Sequence, residues 1–363
     1  MTVRSEGSAQ VIRRRVRGED QDFIYAALGG LTLCVAALYM AVALPRIAPL
    51  IVPRLVDMRV QTAITPVNWV PAQDLAEARA PAKASLDDGL EKPAQVMTIG
   101  STAKLADLFA DMNYNLDAAR SDHIQVPRVF LASLPSDFKS MPSTDTRKEL
   151  FIRTMLPLVL KVNESVLLER GRLLALRAHA EAGRAPTAEE AAWLGELAQR
   201  YGLDKPDFDQ LLTRVDIIPP SLAIAQAAEE SGWGTSRFAR QGNAAFGQYT
   251  FSEDDGLMPD RRDDGKHHLI HAYDHLLDAV RSYALNLNTH DAYRQFRKQR
   301  AEMRARGQEV DGNKLVSSIT AYSERGGDYI ESIQSLMKAN NLEPLDHAKL
   351  QGGKVVDMLA AGK

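Results

Sequence analysis

Apolar residues at helical spacing organise the chain from Lys148 onward. Lys148 to His179 carries Phe151, Ile152, Met155, Leu156, Leu158, Val159, Val162 and Val166 in one pattern. It predicts a long helix that Pro157 should kink or interrupt. Asn163 and Glu164 fall inside this apolar run, either as a hydrogen-bonded core pair or on a solvated face. Thr187-Ala188-Glu189-Glu190 is a capping box, so a helix opens there with Trp193, Leu194 and Leu197 inward. Phe208 to Val215 makes a third, short helix. Ser221 to Glu230 is helical by composition, rich in Ala, Leu and Gln. Pro219 and Pro220 fit only at its start, and Gly232 and Gly234 stop it. Asp274 to Asn288 follows, with Leu276, Leu277, Val280, Tyr283 and Leu287 inward. Ala292 to Arg306 is basic, bearing Arg294, Arg297, Lys298, Arg300, Arg304 and Arg306. It reads as a surface helix, with contact to an anionic polymer as its second use. Lys314 to Leu342 holds the last helix, with Ile330, Ile333 and Leu336 on one face.

Extended runs are short. Val126 to Leu131 is one. Phe246 to Phe251 and His267 to Tyr273 are predicted strands flanking an exposed loop, Ser252 to Lys266, rich in Asp, Gly, Pro and Arg. Asp254, Asp255, Asp260, Asp263 and Asp264 lie in that loop, as solvated acids or as the source of a second carboxylate. The N-terminal part has a different grain. Residues 1–22 are polar and basic, and Phe23 to Leu44 contains no charge. As a helix that stretch would span about 33 Å, enough for a bilayer core of about 30 Å. Arginines before it predict a cytoplasmic N-terminus, with the body of the protein in the periplasm of the inner membrane. Residues 45–125, rich in Pro and Ala, read as a tether with one short helix at Thr102 to Asp111, or as a small element packed against the body. Residues 346–363 read as a loose polar tail.

Charge and composition narrow the chemistry. The 363 residues carry a net charge of -3, which gives no reason to expect nucleic acid. Cys34 is the single cysteine, so there is no disulfide framework. His267, His268, His271 and His275 lack metal-site spacing and read as surface. No metal or cofactor is expected.

The remaining signal lies between Ile218 and Phe251. Glu229 and Glu230 sit on the last turn of a mostly apolar helix. The helix C-terminus and burial both favour the protonated acid there, so a carboxyl pKa should rise. An acid kept protonated near neutral pH is what a glycosidase needs to protonate a leaving oxygen. Trp233, Phe246, Tyr249 and Phe251 follow as an aromatic run, the kind that lines sugar clefts and also fills ordinary cores. The two glutamates lie about 100° apart around the axis, so helical phase leaves the choice between them open.

Ala225-Gln226-Ala227-Ala228-Glu229-Glu230-Ser231-Gly232-Trp233-Gly234, with Gly242-Asn243-Ala244-Ala245-Phe246-Gly247-Gln248, resembles the signature of the glucosaminidases of glycoside hydrolase family 73, closest to its Bax-type members. The resemblance extends over roughly residues 126–342. It implies a mainly α, α+β lysozyme-like catalytic domain with a small β-hairpin lobe, at 126–345, split into a helical part 126–217 and a core 218–345. It implies cleavage of the β-1,4 bond after N-acetylglucosamine, toward N-acetylmuramic acid, in peptidoglycan glycan strands. The implied acid is Glu230, and Tyr329 near the start of the last helix is its implied cleft partner. Trp233, Phe246 and Tyr249 would stack on sugar, and Asn243 and Gln248 would hydrogen-bond it. Two other readings compete. Lytic transglycosylases also use a lone Glu before Ser, and Gly256-Leu257-Met258 is superficially like their Gly-Leu-Met-Gln segment, although Pro259 follows. The other is a tethered murein-binding scaffold without activity.

Overall fold

A computed structural model describes residues 96–121, 123–250, 256–258 and 269–352. The chain divides into two units, 1–66 and 67–363, and every described residue belongs to the second. The predicted membrane span at 23–44 lies outside the described residues. Among those described, no helix is long and apolar enough to cross a membrane.

The supposed tether does not continue to residue 125. Strand β1 (Val96–Met97) pairs in parallel with β2 (Phe130–Leu131). Between them lie α1 (Thr102–Asp111), at the predicted bounds, and α2 (Leu116–Arg120). Leu105, Phe109, Tyr114, Leu116 and Ala119 are buried in the common core. Phe109 and Tyr114 meet edge to face, and the Arg153 guanidinium covers both rings. This part of the chain carries its own apolar periodicity, and that periodicity is what folds it onto the body. The tail is shorter than expected as well. Val126 bridges Leu350 in parallel, with Val126 N donating to Lys349 O (2.7 Å) and Gln351 N to Val126 O (2.9 Å).

Helix α3 (Thr144–Glu181) is the long mast of the fold. It passes through Pro157 without ending, because the turn around that proline is buried on all sides and one missing ladder bond is outweighed by packing. Asn163 and Glu164 are core groups. Asn163 Nδ2 donates to Ile218 O (2.8 Å) and its Oδ1 accepts from Ile218 N (3.0 Å). Arg128 forks onto both Glu164 oxygens (3.0 and 2.7 Å). Against the cost of burial, Arg128 and Lys161 hold that carboxyl below its usual range. Helix α4 (Ala188–Arg200) opens on the predicted capping box, and α5 (Phe208–Arg214) follows.

Helix α6 (Pro220–Ser231) is the centre, buried along nearly its whole length. Pro219 has no side-chain donor or acceptor to cap it. Asp346, from the expected tail, does so instead: Ser221 N (2.7 Å) and Ser221 Oγ (2.8 Å) donate to its carboxylate, and so does Gly312 N (3.0 Å). Burial holds Asp346 up to about 6 despite those hydrogen bonds. A short helix α7 (Arg237–Gly242) leads to a three-stranded antiparallel sheet of order β3-β5-β4, with β3 (Tyr249–Thr250), β4 (Gly256–Leu257) and β5 (Leu269–His271). The predicted loop thus contributes a strand of its own to the small lobe.

Helices α8 (Leu276–Thr289), α9 (Arg294–Ala305), α10 (Gly312–Leu315) and α11 (Gly327–Ala339) complete the body. The predicted inward face of α8 is buried as expected. The basic helix α9 corrects the surface reading. Arg297 and Arg300 are buried, and Arg300 has no exposed surface at all. Its guanidinium donates to the carbonyls of Ile217 (2.8 Å), Asp216 (3.1 Å), Thr213 (3.1 Å) and Arg214 (3.3 Å). Arg304 forks onto the buried Asp216 carboxylate at 2.8 and 3.1 Å. These arginines pin the last turn of α5 and the irregular residues 215–218 that lead into α6. Unpaired carbonyls there would be costly, and a guanidinium offers enough donors to satisfy several at once.

Candidate active site

Helix α6 ends in a left-handed turn. Gly232, Trp233 and Gly234 all have positive φ, at 57°, 58° and 76°. Trp233 N donates to Ala228 O (2.9 Å), and Gly234 N to Ser231 Oγ (2.8 Å). A Cβ on Gly234 would lie 2.4 Å from Leu134 Cδ1, so glycine is required there by space as well as by φ. This turn stops the helix just after the two glutamates and tucks its end under α3.

The structure separates the glutamates. Glu229 pairs with Arg325 (2.7 Å), an exposed residue before α11. Glu230 turns to the core side, where the Tyr329 hydroxyl donates to its Oε1 (2.9 Å). Burial pushes the Glu230 carboxyl up, and the Glu229 charge adds to it. The Tyr329 hydrogen bond and the Arg325 charge pull the other way without reversing the shift. Glu230 Oε2 faces Gly247, where a Cβ would stand 3.4 Å away. Gly247 has positive φ (62°), so a side chain there would be strained as well as in contact with the acid.

Behind the acid stands a wall of rings. Tyr322 stacks on Tyr329 (5.7 Å between centroids, 10° between planes). Tyr283 and Tyr293 reach Tyr322 from α8 and from the turn before α9. Burial pushes the phenols of Tyr283, Tyr293, Tyr322 and Tyr329 up, so all four stay neutral donors. Tyr283, Tyr293 and Tyr322 were not singled out in the sequence, because each lies in an ordinary helical or turn pattern.

The other sequence candidates are dispersed. Phe246 is buried and stacks on Tyr283 (4.0 Å, 10°), while its carbonyl accepts from Tyr322 (3.0 Å). It braces the wall and offers no face to sugar. Trp233 is half-buried; it makes a T-shaped contact with Phe151 and carries the Lys148 ammonium over its ring, so α3 covers one side of it. Asn243 has positive φ and ends α7, and its Nδ2 donates to Tyr273 O and Asp274 O (both 3.0 Å). It ties α7 to the start of α8. Gln248 is half-buried, and its Oε1 accepts from the Tyr273 hydroxyl (2.7 Å). The Tyr249 side chain, His267, His268 and the loop aspartates lie outside the described residues. His271 tilts against Tyr273 (4.4 Å). No group of acids, histidines or cysteines among the described residues is arranged to hold a metal.

With that geometry in place, relatives can be compared. Residues 205–342 match the glucosaminidase family, described as mannosyl-glycoprotein endo-β-N-acetylglucosaminidase. The protein bax of Escherichia coli K12 is 34% identical over 215 residues, covering 58% of this chain and 75% of that one. The chain belongs to the glucosaminidase family. It is therefore read as a glycoside hydrolase, and its described body is mainly helical with few strands. The catalytic domain of the autolysin Auto from Listeria monocytogenes aligns at 19% identity and a TM-score of 0.27, over 47% of this chain and 94% of that one.

Proposed function

We propose that this glucosaminidase hydrolyses the β-1,4 bond after N-acetylglucosamine in peptidoglycan glycan strands, on a lysozyme-like arrangement of helices and a small sheet. The observation that carries the proposal is Glu230: a carboxyl raised by burial, with one oxygen held by Tyr329 and the other beside Gly247. Glu230 protonates the glycosidic oxygen as the bond to the anomeric carbon breaks and an oxocarbenium-like centre develops. Water then adds to that centre, and Glu230 recovers its proton.

Glu229 is engaged by Arg325 and is no ready base for the water. The substrate's own N-acetyl oxygen assists, or an acid from the lobe segment 251–268 does. The Tyr329 hydroxyl is already bonded to Glu230 and Gln226, which favours a role in setting the acid over a role in gripping the N-acetyl group. Residues 23–44 are proposed to anchor the enzyme in the inner membrane, with the catalytic body in the periplasm.

Digestion of purified murein, followed by borohydride reduction and mass spectrometry, tests the linkage. Reduced N-acetylglucosamine ends are expected. Anhydromuramoyl ends would make the chain a lytic transglycosylase, reduced muramic acid a muramidase, and an unchanged polymer a binding scaffold.

A further inference from the structure

Gln226 is an expensive residue where it stands. It lies on α6 among Ala225, Ala227 and Ala228, with no exposed surface. An amide buried there costs free energy unless both of its ends are bonded. Both are. The Tyr283 hydroxyl donates to Gln226 Oε1 (2.7 Å), and Gln226 Nε2 donates to the Tyr329 oxygen (3.0 Å). Tyr329 in turn donates to Glu230 Oε1 (2.9 Å). Gln226 and Glu230 are four residues apart on one helix, so they share a face.

We propose that Gln226 is a positioning residue for Glu230, acting through Tyr329 in a one-directional hydrogen-bond relay that starts at Tyr283. The inference rests on the reading of Glu230 as the acid. An amide has one accepting and one donating end. With Tyr283 donating to the oxygen, the nitrogen must face Tyr329. Tyr329 then receives a hydrogen bond and has its single hydrogen left for Glu230. Each link polarises the next, so the last hydroxyl is a firmer donor than an isolated phenol. The consequence is chemical: Oε1 remains an acceptor, and the transferable proton resides on Oε2, the oxygen beside Gly247. The polar and charged groups facing Glu230 are Glu229 on its own helix, Arg325 and Tyr329 at the start of α11, Tyr322 before it, Tyr283 on α8 and Tyr293. Gln226 reaches the acid only through Tyr329.

Carboxyl-carbon NMR titration of Glu230 in the full chain reads the relay without substrate, its signal assigned by its loss in Glu230→Gln. Gln226→Met keeps the volume and removes both poles. It should raise the Glu230 pKa by about 0.5–1 unit, since a hydrogen bond favouring the carboxylate is weakened. Tyr329→Phe should raise it at least as far, and the double variant no further than Tyr329→Phe alone. An unmoved pKa in Gln226→Met, or additive shifts in the double variant, would overturn the relay. If Gln226→Met does not fold, Tyr283→Phe keeps the ring on Phe246 and carries the test, an upward shift supporting the relay and none overturning it. The alkaline limb of murein release should move with the pKa. A titration that behaves as expected in a protein that leaves murein intact would keep the relay and remove the proposed reaction.

Discussion

Exchanging Glu230 for Gln separates two demands made on that position. The carboxyl is raised in the folded protein, so folding takes up protons there, and stability falls as pH rises from the unfolded value through the folded one. Glu230→Gln removes that burden together with the transferable proton. Its expected outcome is lost murein cleavage with a melting temperature at pH 7 equal to or above wild type, a difference that closes near pH 4. Cleavage near the wild-type rate would remove Glu230 as the acid. Glu229→Gln is the matched control. It deletes a negative charge beside Glu230 and frees Arg325, and both changes favour the Glu230 carboxylate. Activity should survive, with the alkaline limb of the pH profile moved to lower pH; an upward move would contradict the charge assignment. The glutamate pair was visible in the sequence, and resemblance selected Glu230 and Tyr329. Gln226 and Tyr283 were not visible as site residues. A glutamine among alanines reads as a good helix former, and a tyrosine on an apolar face reads as core.

Helix α9 shows how an element can be found by pattern and still be turned the wrong way. Its basic composition located it to within two residues, yet Arg300 points inward because segment 213–218 leaves carbonyls that helices and strands do not satisfy. Such acceptors are supplied by tertiary structure, so no local pattern announces them. Pro157 does not end α3 for the same reason, since packing around the helix outweighs the missing ladder bond. Arg300→Met should therefore destabilise by about 3–5 kcal/mol, because it leaves Asp216 and several carbonyls short of buried donors. Chemical denaturation with an unchanged unfolding slope is the measurement, and a loss below about 1 kcal/mol would return α9 to a surface role. Asp216 has the opposite sign to Glu230. Against burial, Arg300, Arg304 and Arg170 hold its carboxyl below the usual range. Its contribution is present above the unfolded carboxyl pKa and is lost as pH falls through the folded one. Asp216→Asn should accordingly flatten the acid side of the stability profile.

At the scale of the molecule, the core was legible and its edges were not. Helices α3 to α6, α8 and α11 stand close to where the sequence places them: α4, α8 and α11 bury one apolar stripe, whereas α6 and the middle of α3 are buried all round. The ends were misjudged because the prolines before residue 96 set the reading of the whole N-terminal stretch, masking the apolar spacing of Leu105, Phe109, Tyr114 and Leu116, and because 346–350 is a short polar run in which Asp346 and Leu350 do the packing. Truncation makes this testable. Removing residues 1–95 and 353–363 keeps every packed residue named above, and the remaining chain should fold and unfold in one cooperative transition. Extending the N-terminal cut to residue 125 removes α1 and α2 together with Phe109 and Tyr114, the two rings under Arg153, and uncovers the part of the core they pack on. Each large apolar side chain exposed in this way costs about 1.5–3 kcal/mol, so loss of Phe109, Leu105 and their neighbours approaches the whole stability of a domain. Extending the C-terminal cut to residue 346 is milder but reaches the site. It uncaps α6, a loss of about 0.5–2 kcal/mol, and unpairs Val126. Because α6 carries Glu230 at its other end, the chain cut before residue 346 should lose murein-cleaving activity at a lower temperature than the chain cut before 353. Equal thermal inactivation of the two would show that the Asp346 cap does not steady the helix of the acid.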